Sequence, residues 1–346
     1  MLLRSSPPAG RGTLHPSGVA RRWGAILAMT FVVGSALAAF WAAGQAEAAA
    51  GTLTSGTYTD SNGGLNYELY VPSSYKAGTS VPLVVALHGC TETADVYRQL
   101  SGWDTLAQAK GFIVAFPEQS TSRNYERCWN WFLKADMQRG SGEPAMIAGL
   151  TSAIERSHSI SSHRVYVAGF SAGAAMANVM GATYPDLYAA VGVGSGCEYN
   201  GLPCVGYQGP DPTQTGKQAY SAMGTHARVM PAIVFQGDAD DIVAPANAPL
   251  IVREWQVTDD YADDGSANGS IPTTPTGVTY GTSPGGRTYS VTSYGDGRGH
   301  QLIQYWVVHG MNHAWSGGSA TEPYSDPSGP NETAAMYSFF SSHPAP

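Results

Sequence analysis

Five short, unbroken apolar runs, at residues 82–87, 112–116, 165–168, 189–193 and 232–235, constrain this chain more than any other feature. A strand with one wet face alternates apolar and polar residues, so an unbroken run marks a strand covered on both faces. Helical stretches at 103–110, 143–158, 172–184 and 246–255 separate or follow these runs. Strand and helix in alternation predict an α/β architecture: a mainly parallel central sheet flanked by helices, in a single domain. Alternating segments at 52–59 and 65–71 around Asn62-Gly63-Gly64 predict an antiparallel hairpin ahead of it. Late strands at 289–294 and 302–308 and a closing helix at 333–340 complete the pattern, and the Thr/Gly/Ser/Asp/Pro-rich stretch 258–287 reads as a surface insertion.

The first fifty residues have a different character. Arg4, Arg11, Arg21 and Arg22 precede an apolar run at 25–43, followed by Gln45-Ala46-Glu47-Ala48-Ala49-Ala50. A basic start, an apolar middle and a small-residue exit predict a signal peptide over 1–50, cleaved after Ala48 or Ala50. The alternative is an uncleaved anchor, since the run approaches spanning length. Cleavage leaves residues 51–346 exported and free of the membrane. Lys and Arg total 18 against 26 Asp and Glu, a net charge of −8. That field repels a polyanion, so nucleic acid is excluded as a partner. The four cysteines, Cys90, Cys128, Cys197 and Cys204, read in an exported chain as two disulfides, with three pairings possible. The favoured pairing closes a long Cys90–Cys128 loop and a short Cys197–Cys204 loop, the latter away from the motifs below. No CxxC pair supports a zinc site, and no metal is invoked. Nothing in the sequence sets an oligomeric state.

The run at 165–168 leads into Gly169-Phe170-Ser171-Ala172-Gly173 and then a helical stretch. Small residues on both flanks suit a sharp strand-to-helix turn that exposes a serine hydroxyl, and the helix start offers N–H groups to an oxyanion. Gly281-Thr282-Ser283-Pro284-Gly285 matches the same spacing, but no strand is predicted before it and no helix after it. A serine needs a base, and the base needs an orienting acid; in this fold the acid and then the histidine follow the serine in the chain. His313, just past the strand ending at Val308, is preferred to His309 as base. Asp240 is the best-placed acid after the run at 232–235, with Asp238 and Asp241 as runners-up. The second oxyanion donor is expected on Leu87-His88-Gly89-Cys90-Thr91, where the Cys90 N–H would converge with that of Ala172 and His88 would prop the turn. This chemistry calls for no cofactor.

Together these residues resemble the polyhydroxyalkanoate (poly-3-hydroxybutyrate) depolymerase family of secreted α/β-hydrolase esterases, to which feruloyl and acetylxylan esterases are related. The matching pieces are Leu87-His88-Gly89-Cys90-Thr91, Cys128-Trp129-Asn130-Trp131-Phe132, Gly169-Phe170-Ser171-Ala172-Gly173, Gly237-x-x-Asp240-x-x-Val243 and Gly310-x-x-His313-Ala314-Trp315. The departures are Gln236, where a histidine is common, and Asn312, where a glycine is common. The resemblance implies an α/β-hydrolase fold, a Ser171–His313–Asp240 triad, a Cys90–Cys128 bridge and an ester or polyester substrate. Trp129, Trp131 and Trp315, with Tyr97 and Trp103, flank the site in sequence, and the three tryptophans are the expected substrate-binding face. Feruloyl or acetylated-xylan ester hydrolysis is the alternative activity. A non-catalytic binding protein on the same scaffold would lack a triad member, and none is missing.

Overall fold

Asn62 stands in the tight turn between β1 (Thr52–Asp60) and β2 (Gly63–Val71), which pair antiparallel with Thr52 opposite Val71. The computed structural model describes residues 50–346, and the expected signal peptide lies outside the described residues. The chain continues through β3 (Val81–Leu87), α1 (Ala94–Ser101), α2 (Trp103–Lys110), β4 (Ile113–Glu118), α3 (Gly142–Ser157) and β5 (Ile160–Phe170). Next come α4 (Ala172–Thr183), β6 (Val191–Gly194), α5 (Pro212–Met223), β7 (Ala232–Gly237) and α6 (Asn247–Asp264). Then β8 (Gly277–Thr282), β9 (Thr288–Gly295), β10 (Gln301–Val308) and α7 (Glu332–Ser341) close the fold.

One ten-stranded sheet runs in the order β1-β2-β4-β3-β5-β6-β7-β10-β9-β8. Strands β4 to β10 along that order are mutually parallel, and antiparallel hairpins extend both edges. The unbroken apolar runs are explained by what each face meets. Leu83, Val85 and Leu87 of β3 join a core with α3, α4 and α6, whereas Val84 and Ala86 join one with α1, α2 and α7. Val165 and Val167 of β5 face the first of these cores, and Tyr166, Ala168 and Phe170 the second. The carboxyl ends of β3, β5, β7 and β10 lie along one edge of the parallel section, where functional loops of an open α/β sheet gather.

The stretch 258–287 is not a plain insertion. Helix α6 continues through it to Asp264, because Thr258 Oγ1 donates to the Glu254 carbonyl and Asp259 Oδ1 accepts the Met230 N–H at 2.8 Å. Strand β8 occupies 277–282, so the match around Ser283 does follow a strand. That strand is an exposed edge and no helix follows it. Ser283 N donates to the Arg287 carbonyl in a hairpin turn, and its hydroxyl binds the Ser328 carbonyl. Helices α1 and α5, both unanticipated, begin at N-caps Thr93 and Asp211.

A buried polar network holds the long connection from β4 to α3 against the sheet. Glu143 accepts the Asn130 N–H at 2.7 Å, the Asn130 Nδ2 at 2.6 Å and the Gln119 Nε2. Glu143→Ala would leave these buried donors unpaired, at a cost of about 3 kcal/mol of folding stability. Glu143→Gln should lose clearly less, and urea unfolding of both variants checks the ordering.

Candidate active site

The turn between β5 and α4 forces Ser171 to φ 54° and ψ −119°, a conformation a residue with a Cβ adopts only under constraint. Its N–H is held by the Gly194 carbonyl at 2.8 Å. Gly173 is required by proximity, since a Cβ there would fall 2.1 Å from the Leu87 carbonyl oxygen of β3. Ser171 therefore projects from the strand end into a cavity of about 500 Å³.

His313 lies in the loop after β10 and Asp240 in the loop after β7, both buried. His313 Nδ1 donates to Asp240 Oδ2 at 2.8 Å, which leaves Nε2 as the proton-accepting nitrogen. Phe170 packs against the imidazole with ring centroids 4.8 Å apart. Burial alone would raise the Asp240 carboxyl. The His313 hydrogen bond and charge, with the Ile242 and Val243 N–H groups at 3.0 and 2.9 Å, outweigh it and hold the carboxyl below the usual range. Gln236, at the position where the family commonly has histidine, donates Nε2 to Asp240 Oδ2 at 2.9 Å. His313 and Ser171 line the same cavity. Among the described residues the Ser171 hydroxyl makes no hydrogen bond, so the Asp–His half is closed and the His–Ser half is open, as is common before substrate arrives.

The rival residues pair with each other. His309 Nδ1 lies 2.8 Å from Asp238 Oδ2 on an exposed surface, and the Gly310 N–H reaches Asp238 Oδ1 at 2.6 Å. Asp241 is exposed. None of the three lines the cavity.

Cys90 and Ala172 both border the cavity, and among the described residues neither N–H donates to a protein acceptor. Cys90 is bonded to Cys128 and Cys197 to Cys204, with Cα separations of 4.2 and 6.1 Å. The short loop is not remote as expected: Cys197, Leu202 and Val205 form one wall of the cavity. The aromatic expectation also needs correction. Trp131 reaches the cavity, but Trp129 and Trp315 are fully buried and do not. Trp129 donates Nε1 to the His88 carbonyl at 3.1 Å, and Trp315 donates Nε1 to Thr333 Oγ1 at 2.9 Å. Tyr97 and Trp103 are core residues. The walls missed from sequence are Phe132, Leu202, Val205, Ile242, Val243 and Tyr324. Phe132 and Val243 belong to motifs that mark the family; Leu202 and Val205 carry no pattern signal.

A serine at the β5–α4 elbow, an acid after β7 and a histidine after β10, on a sheet of this order, define an α/β-hydrolase. The chain belongs to the esterase PHB depolymerase family, whose model matches residues 65–273. It is 36% identical over 248 residues to poly(3-hydroxyalkanoate) depolymerase C of Paucimonas lemoignei, a match covering 68% of this chain and 59% of that one. It is 31% identical to acetylxylan esterase A of Talaromyces purpureogenus, over 63% of this chain and 59% of that one. Thus the chain spans well under two thirds of the length of these two curated relatives. The acetyl xylan esterase from Aspergillus awamori shares the fold, with a TM-score of 0.65 at 23% identity, covering 84% of this chain and all of that one.

Asp240→Asn should lower turnover by about 10³–10⁴-fold by presenting the wrong imidazole tautomer, while Asp238→Asn leaves it within a few-fold of the parent. Steady-state kinetics on a soluble ester decide between them. Breaking the short bridge by Cys197→Ser with Cys204→Ser should cost about 2.5 kcal/mol of stability and also raise KM, since that loop is a cavity wall. An unchanged KM would separate the loop from substrate binding.

Proposed function

We propose that this protein is an exported serine esterase that hydrolyses short-chain polyhydroxyalkanoate, poly-3-hydroxybutyrate or its oligomers, through an acyl-enzyme. The observation that carries the reading is the character of the cavity above Ser171. Its walls are Trp131, Phe132, Leu202, Val205, Ile242, Val243 and Tyr324, and Phe132, Leu202, Val205 and Tyr324 also stand exposed at the surface. A hydroxyalkanoate chain is uncharged and aliphatic apart from its esters, so apolar walls suit it. A polysaccharide would call for many hydroxyl-pairing groups, and here only Thr91, Trp131 and Tyr324 add a hydrogen-bonding side chain to the apolar wall. The likeness to the Talaromyces acetylxylan esterase keeps deacetylation of cell-wall polysaccharide as the second reading, with deferuloylation beside it from the family resemblance.

In the proposed reaction Ser171 Oγ attacks the ester carbonyl and its proton passes to His313 Nε2. Asp240 stabilises the imidazolium, and the Cys90 and Ala172 N–H groups receive the oxyanion. Collapse expels the alcohol, which takes the proton from His313. Water then repeats the sequence on the acyl-Ser171 ester and releases the acid. Export is supported by the two disulfides, which persist in an oxidising compartment, and by the leader-like residues 1–50. Among the described residues no helix is long and apolar enough to cross a membrane.

Ser171→Ala should reduce hydrolysis by about 10⁴–10⁶-fold with unchanged thermal unfolding. Release of soluble acid from poly-3-hydroxybutyrate and from hydroxybutyrate oligomers, run beside acetylated xylan and a feruloylated arabinoside, tests the substrate class. Faster turnover of either sugar ester than of the oligomers would replace the first reading with the second.

A further inference from the structure

Glu92 is a carboxyl that the proposed reaction does not use, and its placement beside the oxyanion turn is specific. It lies just before α1, is 2% exposed, and its Oε2 accepts the Gly89 N–H at 2.8 Å. On the other side of the same residue, the Gly89 carbonyl accepts His88 Nδ1–H at 2.7 Å. That tautomer is imposed by the Gln119 N–H, which donates to His88 Nε2 at 2.9 Å. Burial drives the His88 imidazole down to about 4, so it stays neutral. The Gly89 carbonyl and the Cys90 N–H belong to one planar peptide and point opposite ways, so holding Gly89 at both ends aims the Cys90 N–H. A Cβ on Gly89 would stand 3.1 Å from the Phe170 ring, 3.3 Å from Glu92 Oε2 and 3.4 Å from Ser171 Cβ, so this glycine lies beside both the carboxyl and the nucleophile.

We propose that Glu92 is a positioning residue of the oxyanion turn that must be uncharged for full turnover: its carboxyl holds the Gly89 N–H, and so the residue from which the Gly89–Cys90 peptide departs, and its ionisation opposes the oxyanion that peptide stabilises. The inference rests on the Ser171 reading above. No cation is among the groups acting on Glu92. Glu322 faces it from the loop before α7, and Tyr97 faces it from α1 while itself facing Glu332 on α7; His88, on the turn, is neutral. Among the described residues Glu92 Oε1 has no hydrogen-bond partner. Burial first, and then Glu322, lift the carboxyl to about 7 against the Gly89 hydrogen bond. The acid is therefore neutral below that pH and becomes an anion beside the oxyanion turn above it. A negative charge buried beside this turn slows formation of a second negative charge there.

The test compares wild type with Glu92→Gln, whose amide oxygen accepts the Gly89 N–H but never ionises, on a soluble butyrate ester across pH 5.5–9. The ratio of wild-type to Glu92→Gln kcat cancels the titrations both enzymes share. It should fall roughly tenfold or more through pH 7, with KM little changed. Glu92→Ala should be slow at every pH, and Glu92→Gln should restore the rate at low pH. A ratio that stays constant across the range overturns the proposal. Should Glu92→Gln not fold, Glu322→Gln provides the reading. Removing that facing anion should shift the wild-type alkaline fall a few tenths of a pH unit lower, and an unmoved profile overturns the proposal equally. An inactive Ser171→Ala beside a flat ratio removes only this inference, whereas an active Ser171→Ala removes the serine reading with it.

Discussion

The approach of α4 to the end of β3 is the constraint on which the rest of the site depends. Gly173 lies so close to the Leu87 carbonyl that no side chain fits between them, and this contact pins the start of α4 behind Ser171. The serine consequently takes a left-handed backbone conformation that the bond from its N–H to the Gly194 carbonyl helps to hold. The same contact brings the turn after β3, which carries Cys90, beside the N-terminus of α4, which carries Ala172. The candidate nucleophile and the two candidate oxyanion donors are thus placed by one packing event between a helix and a strand, rather than by separate loops.

Around that point the chain supplies orientation through buried polar contacts that reach far along the sequence. Glu143 on α3 fixes Gln119 and Asn130; the Gln119 N–H fixes the His88 tautomer; His88 fixes the Gly89 carbonyl. Trp129, from the same loop as Asn130, holds the His88 carbonyl, and the Cys90–Cys128 bridge ties that loop to the turn covalently. Each link satisfies a polar group that burial would otherwise leave costly, so the network is tightly determined. In the proposed reaction its effect is indirect: it sets the direction of the Cys90 N–H.

Sequence reading was most accurate where a periodic or local signal had a single physical cause. The buried strands showed because both faces are covered, and α2, whose predicted span 103–110 is also its observed span, is closed at Gly102 and Gly111 in left-handed conformation. Helices α1 and α5 were missed although Thr93 before Ala94-Asp95 and Asp211 before Pro212 are N-cap signals, and although Ala94, Tyr97 and Leu100 of α1 recur at helical spacing and are buried. Helix α6 was cut short because Thr258 and Asp259 read as loop residues until their specific partners are known. The candidate triad positions could be read from chain order and motif. The cavity walls could not: Trp315 stands two residues from His313 yet packs edge-on against Tyr97, while Leu202 reaches the cavity from a disulfide-closed loop with no pattern of its own and Val205 from just beyond it. Neighbourhood along the chain says little about which way a side chain points.

Two carboxyls flank the site, and their surroundings push them in opposite directions. Asp240 receives an imidazole hydrogen bond and two backbone N–H groups, enough to overcome burial and keep it ionised. Glu92 receives one N–H and faces another acid, so burial prevails and the carboxyl is pushed up. Separation of this kind is how one fold assigns an ionised role and a neutral role to chemically similar side chains. It also follows from the apolar cavity itself. Walls such as Phe132, Leu202 and Ile242 offer neither charge nor hydrogen bond, so an unpaired anion buried beside them is costly. An ionised carboxyl is therefore affordable only where it is paired, as Asp240 is with His313. At the turn after β3, where Glu92 has no cationic partner, burial favours the uncharged acid, and that is the basis of the positioning role proposed for it.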